Sequence, residues 1–239
     1  MKLYSKLSAL GAVLVLTTAF ASADTVQFLA SGSGEVTYLG YSATFPGAPV
    51  IQPNGVNNQI NNPGTCVATA CVTYGISPGT VWAPPLVAAD GEVSSWVSYD
   101  PNSGPTGTEA NFDANGFYTY TTNFNLPLSS SGSVTVAADD TVAVFLNGVQ
   151  ISNFGTIGGD TQCADGAPNC RDGQSVTVNF SAPAGFNVLD FVVDQSGSHD
   201  QGLDYVGTIT ETPEPNTLFL LGTGLVGSAG ALFRKMRKA

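Results

Sequence analysis

The sequence predicts an all-β body, a β-sandwich of the jelly-roll type, lying between an N-terminal signal peptide and a C-terminal apolar helix. Three observations predict the sandwich. Residues 24–211 are rich in Gly, Ser, Thr, Val, Asn and Asp, and no stretch there repeats its apolar residues with the period of a helix. Short β-type runs recur instead, divided by turn residues. Several of these runs alternate, as a strand with one buried face requires.

In chain order the first predicted strands are Thr25–Leu29, Val36–Phe45, Val67–Tyr74, Ser94–Tyr99 and Phe117–Leu126. The later ones are Ser133–Ala137, Val142–Leu146, Val149–Ile151, Ser175–Phe180, Val188–Val193 and Tyr205–Thr210. In the fifth run Tyr118, Tyr120, Phe124 and Leu126 share one parity. Val142, Val144 and Leu146 do the same in the seventh, and Leu189, Phe191 and Val193 in the tenth. Asn147-Gly148 separates two apolar runs and reads as a two-residue hairpin turn, because both positions tolerate positive φ. Pro46–Pro63 and Gly155–Gly173 read as loops. About ten short strands in a body of this size point to a sandwich. No crossover helices are visible for a parallel α/β fold.

The two ends differ from the body. Lys2 and Lys6 precede an apolar run, Leu7–Phe20, and then Ala21-Ser22-Ala23. That order is a secretory signal peptide over 1–23, cut by signal peptidase after Ala23. An uncleaved anchor is the alternative, but the run is short for a bilayer. At the other end, residues 212–239 open with Thr212-Pro213-Glu214-Pro215, which two prolines keep extended. An uncharged stretch, Thr217–Phe233, follows, about 25 Å long as a helix. Residues 234–239 are basic, with Arg234, Lys235, Arg237 and Lys238. Basic residues stay cytoplasmic, so a helix over 217–233 would leave the body outside, as the signal peptide also does.

Charge is distributed accordingly. Of seven basic residues only Arg171 falls in the body, against seventeen acids from Asp24 to Glu211, a net charge of −16. Such a surface repels polyphosphate and excludes nucleic acid as a partner. It favours solubility and attracts divalent cations. Cys66, Cys71, Cys163 and Cys170 are the only cysteines, an even number in an exported chain, which favours disulfides. Three pairings are possible. Cys66–Cys71 with Cys163–Cys170 is the economical one, each bridge contributing roughly 2–3 kcal/mol. A zinc site would need help from the single histidine or from carboxylates.

Pro213-Glu214-Pro215, an apolar helix containing glycine and a basic terminus resemble the PEP-CTERM sorting domain of Gram-negative bacteria. The tail also resembles the C-terminal domain named after ice-binding proteins. The first resemblance implies an exosortase as partner, cutting near that motif, and a body displayed at the envelope or released. Before processing the C-terminal helix would hold the protein in the inner membrane. Such proteins accompany exopolysaccharide and biofilm production.

Within the body, Asp139-Asp140 precede the run Val142–Leu146, and Asn147 follows it. This stretch resembles the Asp-Asp strand element of galactose-binding-like and PA14-like jelly rolls, though Asn147 stands where PA14 domains often have Asp. The resemblance implies calcium on Asp139 and Asp140, orienting a sugar; a solvated turn is the plainer reading. Asp160, Asp165, Asn169 and Asp172 form a second acidic loop without EF-hand spacing. Ser196, His199 and Asp200 are neighbours in sequence, but a catalytic triad needs convergence in space and an oxyanion hole. No G-x-S-x-G elbow is present. Trp82, Trp96, Tyr118 and Tyr120 are candidates for a sugar-stacking platform or for core.

The expected function is therefore a non-enzymatic, polysaccharide-associated module that requires no cofactor. The alternatives are a structural matrix protein, an ice-binding protein, for which no threonine ladder is visible, and a hydrolase using paired carboxylates. Trypsin should cut the unfolded body once, after Arg171. Further internal fragments by mass spectrometry would show the boundaries at 23 and 212 to be misplaced.

Overall fold

The computed structural model describes residues 26–32, 36–45, 47, 71–106, 113–158, 163–197 and 199–210, with scattered positions between 222 and 236. The signal peptide, Pro213-Glu214-Pro215, Cys66 and Asp160 lie outside the described residues. Val26–Thr210 forms one compact unit. In the tail, Gly222, Gly224, Leu225, Gly227, Ser228, Phe233, Arg234 and Met236 are helical. Among the described residues no helix is long and apolar enough to cross a membrane.

The body is an all-β sandwich of two sheets. In chain order the strands are β1 (Val26–Ala30), β2 (Thr37–Ser42), β3 (Cys71–Val72), β4 (Tyr74–Gly75), β5 (Val97–Ser98) and β6 (Gly116–Leu126). Then come β7 (Ser130–Asp139), β8 (Thr141–Leu146), β9 (Val149–Gln150), β10 (Val176–Ala182), β11 (Gly185–Gln195) and β12 (Gly202–Thr210). One sheet runs β10-β7-β12-β5-β4 with β1 also on β12; the other runs β3-β2-β6-β11-β8-β9. The pairings are antiparallel throughout.

Two predicted strands behave differently from their sequence. Val67–Tyr74 is split at Thr73, where the described part switches sheets: β3 pairs β2, and β4 pairs β5. The Thr73 hydroxyl, buried at this corner, donates to Val36 O at 2.9 Å. Ser94–Tyr99 shrinks to two paired residues because its backbone is spent elsewhere. Ser94 N bonds Leu86 O and Ser95 N bonds Ser31 O, while Trp96 O accepts from Ile76 N. The turn at Asn147-Gly148 has φ of 50° and 78°, the left-handed pair that a two-residue hairpin demands.

The inward residues of the two sheets meet in one core. Tyr38, Tyr120, Leu126, Val144, Leu189 and Phe191 of the second sheet face Val134, Val136, Leu203, Tyr205 and Ile209 of the first. Phe191 stacks on Tyr205 with ring centroids 4.4 Å apart. A smaller core lies on the outer face of the first sheet, where Trp82 and Trp96 pack on Ala137 and the bridged Cys163 and Cys170. The loops carrying these residues therefore cover the sheet and bury a second layer of apolar surface.

Strand ends define two poles. Val26 pairs with Thr210, so the body's two ends leave it together, at the pole where β10 crosses to β11 in the other sheet. The end of β7, the start of β8, the end of β11 and the start of β12 make the opposite pole. Phe191→Ala removes a fully buried ring from the seam between the sheets. It should cost about 3–5 kcal/mol, read as a shift in the urea midpoint without a change of fold.

Candidate functional site

The pole remote from the chain ends gathers acids. Asp139 closes β7 and Asp140 links it to β8; they are joined by a cis peptide bond and are only 2% and 1% exposed. The Trp82 indole N–H donates to Asp139 Oδ2 at 2.7 Å. The Ser196 amide donates to Asp140 Oδ2. Asp140 is also held by its backbone, its N on Asp194 O at 3.2 Å and its O accepting from Ala164 N at 3.3 Å. Burial pushes the Asp139 carboxyl well above the carboxylate range, and the neighbouring Asp140 and Asp200 push it further. Burial, with Asp140 adding to it, pushes Asp194 up to about 6.

A second group of acids lies beside the first. Asp113 is 3% exposed, and the Tyr99 hydroxyl donates to its Oδ1. Burial pushes Asp113 up to about 7 despite that hydrogen bond; Asp100 and Asp200 add to the rise. Burial also raises Asp200, an effect His199 offsets. Three loops are tied here: Asp113 N donates to His199 O, and Gln201 N donates to Ser103 O. Gln201 Oε1 accepts from Ser98 and Tyr120 at 2.7 and 2.8 Å. On the outer face of the first sheet, Asp204 accepts from Ser31 Oγ at 2.8 Å and Leu86 N at 2.9 Å.

Several sequence candidates take other roles. Of the two roles open to Trp82, Trp96, Tyr118 and Tyr120 the structure shows core: all four are buried, because each ring fills a core between or above the sheets. Asp139 and Asp140 are both buried, Asp139 on the outer face of the first sheet under the Trp82 indole, so an ion held there would not meet a sugar at the surface. Asn147 sits at the opposite pole, where its amide bonds Asn187 Oδ1 and Val188 N. The strand between it and Asp140 spans about 20 Å at the usual rise, so they cannot share a site. In the second acidic loop, Asn169 is buried and uses its amide on Ala164 O and Arg171 N, while Asp165 and Asp172 are exposed. The Asp139 carboxylate lies within 4.8 Å of the Cys163 and Cys170 sulfurs, but these are bonded to each other and are not thiolate ligands. His199 is exposed, and its backbone, through Asp113, contributes to the acidic pole.

Sequence reasoning missed Asp113, Ser103, Asp194 and Gln201. Asp113 sits in an ordinary turn-like stretch, Asn111-Phe112-Asp113-Ala114-Asn115-Gly116, that gives no sign of burial. Asp194 offered a faint signal, a carboxylate directly following a core-parity run.

The first sheet also carries an open cleft of about 130 Å³, lined by Val87, Ala88, Ser133, Thr135, Val206 and Thr208. Cross-strand register places hydroxyls side by side there. Thr135 and Thr177 bond at 2.8 Å, and Ser133 meets Thr208 at 3.4 Å. Ser181 and Thr210 both pair with Ser131, continuing the pattern.

Residues 211–238 match the PEP-CTERM protein-sorting motif, which implies export, sorting to the cell surface and processing by an exosortase. No curated protein is similar to the chain by sequence. Among solved structures, the body is similar to a family 35 carbohydrate-binding module from Clostridium thermocellum. That match has 14% identity and a TM-score of 0.29, covering 57% of this chain and 88% of that one. A CBM35 from Paenibacillus barcinonensis gives 14% identity and 0.28, covering 59% and 98%. The GH26-CBM35 β-(1,4)-mannanase of Podospora anserina gives 16% and 0.29; the match covers 60% of this chain but only 28% of that enzyme. Likenesses this distant carry no argument about a ligand, which rests on the chain's own residues.

The buried acids give stability a defined pH dependence. Folded Asp113 keeps its proton to about pH 7, whereas an unfolded aspartate releases it near ~4. Between those values the folded state binds more protons, so stability falls as pH rises through that window. Urea midpoints in chelator should decline from about pH 4 to 7, and Asp113→Asn should flatten the decline.

Proposed function

We propose that the chain is an exported, exosortase-sorted surface protein whose sandwich associates with extracellular polysaccharide and catalyses no reaction. Under this reading the sandwich is a jelly roll, since the chain changes sheet at most connections between its long strands. The observation that supports the reading best is the open cleft on the first sheet. Its hydroxyls at Ser133, Thr135 and Thr208 lie beside the apolar surface of Val87 and Val206. A sugar offers the matching mixture, hydroxyls that exchange hydrogen bonds and C–H faces that pack on apolar side chains.

Charge selects among polysaccharides. A body of net charge −16 repels an acidic polymer, so a neutral one is the expected ligand. Asp139 and Asp140 are hard oxygen donors of the kind calcium takes, and their burial side by side fits an ion. An ion there would tie the end of β7 to the loop at Ser196 and support the fold, without contacting the sugar.

The hydroxyl rows favour a second reading, adsorption to ice. Adjacent strands repeat about every 4.8 Å and so set hydroxyls in a lattice. Such a ladder is assembled across strands distant in sequence, which is why no sequence repeat shows it.

Affinity retention on neutral and acidic polysaccharides tests the glycan reading. The neutral polymer should retain the wild-type chain, and Thr135→Arg with Thr208→Arg should weaken binding by about tenfold or more, roughly 1.4 kcal/mol. If no polysaccharide retains the chain with or without calcium, the structural matrix alternative replaces this reading. Thermal hysteresis in the purified protein would replace it with ice binding.

A further inference from the structure

The edge of a sheet exposes backbone groups that no neighbouring strand satisfies, and the longest such edge in this body is β10. Among the described residues five strands have a neighbour on one side only: β10 with seven residues, β1 with five, and β3, β4 and β9 with two each. β10 pairs with β7 along its whole length, from Val176 on Val136 to Ala182 on Ser130, without a register shift. In an antiparallel ladder every second residue points its N–H and C=O away from the partner strand, so the far side of β10 offers a row of these groups. Long edges are normally protected by a bulge, a proline or a charge. β10, Val-Thr-Val-Asn-Phe-Ser-Ala, has none of the three. The strand is anchored from within: Val178, Phe180 and Ala182 are buried, and Phe180 packs on Phe124 with ring centroids 6.3 Å apart. Thr177, Asn179 and Ser181 face solvent.

We propose that β10 is a self-association surface, which pairs antiparallel with β10 of a second copy of the chain about a two-fold axis at Asn179. The strand is complementary to itself in that register. On the solvent face Thr177 of one copy falls opposite Ser181 of the other, and Asn179 falls opposite Asn179. On the core side Val178 falls opposite Phe180. Polar side chains thus meet polar ones and apolar meet apolar, as an interface made of one patch used twice requires. Charge favours the same edge. A body of net charge −16 repels its copies over most of its surface, but residues 173–189 hold no charged side chain, and neither do residues 114–138, which include β7 up to Asp139. The pairing would also carry the polar rows of the first sheet from one copy into the next. Thr208, Ser133 and Asn179 lie side by side in one row, and Thr210, Ser131 and Ser181 in another.

The association does not depend on the polysaccharide reading. Sedimentation equilibrium of the purified full chain in density-matched detergent, which keeps the apolar tail in micelles, should show a dimer. A two-fold axis at residue 179 sets that position against itself, so a charge of either sign there meets its like. Asn179→Asp and Asn179→Lys should each raise the dissociation constant about fivefold or more. Circular dichroism should not change, because the side chain is exposed. Asn125→Asp, an exposed change on the second sheet, should leave association nearly unaltered. If net charge alone governed association, Asn179→Lys would strengthen it by lowering the repulsion between acidic bodies, and that result overturns the proposal. So does a dimer that neither Asn179 variant weakens, which would place the contact in the tail or on another face. A wild-type chain that stays monomeric also overturns it, and leaves the edge to a strand of another protein.

Discussion

The constraint on which the rest of this structure depends is the burial of carboxylates in a body that has almost no cations. With Arg171 as its single lysine or arginine, the body cannot neutralise its acids by ion pairing. An isolated buried carboxylate costs far more than one ordinary hydrogen bond returns, so each must find neutral donors, hold a proton or hold a metal ion. The loops are arranged around that need. Trp82 comes over the first sheet to reach Asp139, and the Leu86 amide and Ser31 converge on Asp204. Burying those donors brings Trp82 and Trp96 onto the Cys163–Cys170 bridge, which creates the second core. The polar contacts and the apolar layer are thus one arrangement.

Much of the sandwich was legible in the sequence because strand parity is a local property. The alternation of Tyr118, Tyr120, Phe124 and Leu126 needs no knowledge of partners, and these residues do share the buried face of β6. Asn147-Gly148 was readable for the same reason, since the turn depends on two adjacent φ angles. The close pair Cys163 and Cys170 spans only a short loop and is bridged. What was not legible depends on long-range choices. The corner at Thr73, where neighbouring dipeptides enter different sheets, is set by which edges are open. The direction in which Asp139 faces is set by an indole 57 positions away. For Trp82 and Trp96 the sequence left a platform and a core both open, and the choice is made by the segments carrying them, which fold back onto the sheet and bury both rings.

The separation of the poles bears on how such a body works at a surface. Val26 and Thr210 are paired neighbours, so both connections to the flanking segments begin at one pole. The acids and their loops occupy the other. Exposed Phe186 and Val149 lie at the pole of the chain ends, at 69% and 67% exposure. The hydroxyl face lies along the side of the first sheet, between the poles.

Those two regions differ in chemistry, and under the proposed function the physics of each would limit the other. A neutral polyhydroxylated chain lying along Ser133, Thr135 and Thr208, as proposed, would form short-range hydrogen bonds that salt hardly screens. The acidic pole acts over a longer range and favours cations at low ionic strength. Cations gathered there would lower the repulsion between neighbouring copies and between the body and any acidic polymer. Calcium would then influence polysaccharide association without touching a sugar, through loop rigidity and surface charge. A calcium requirement in a binding assay consequently would not place the ion in the glycan site. Only variants that separate Asp139 from Thr135 can assign the effect, because each removes one contribution and leaves the other.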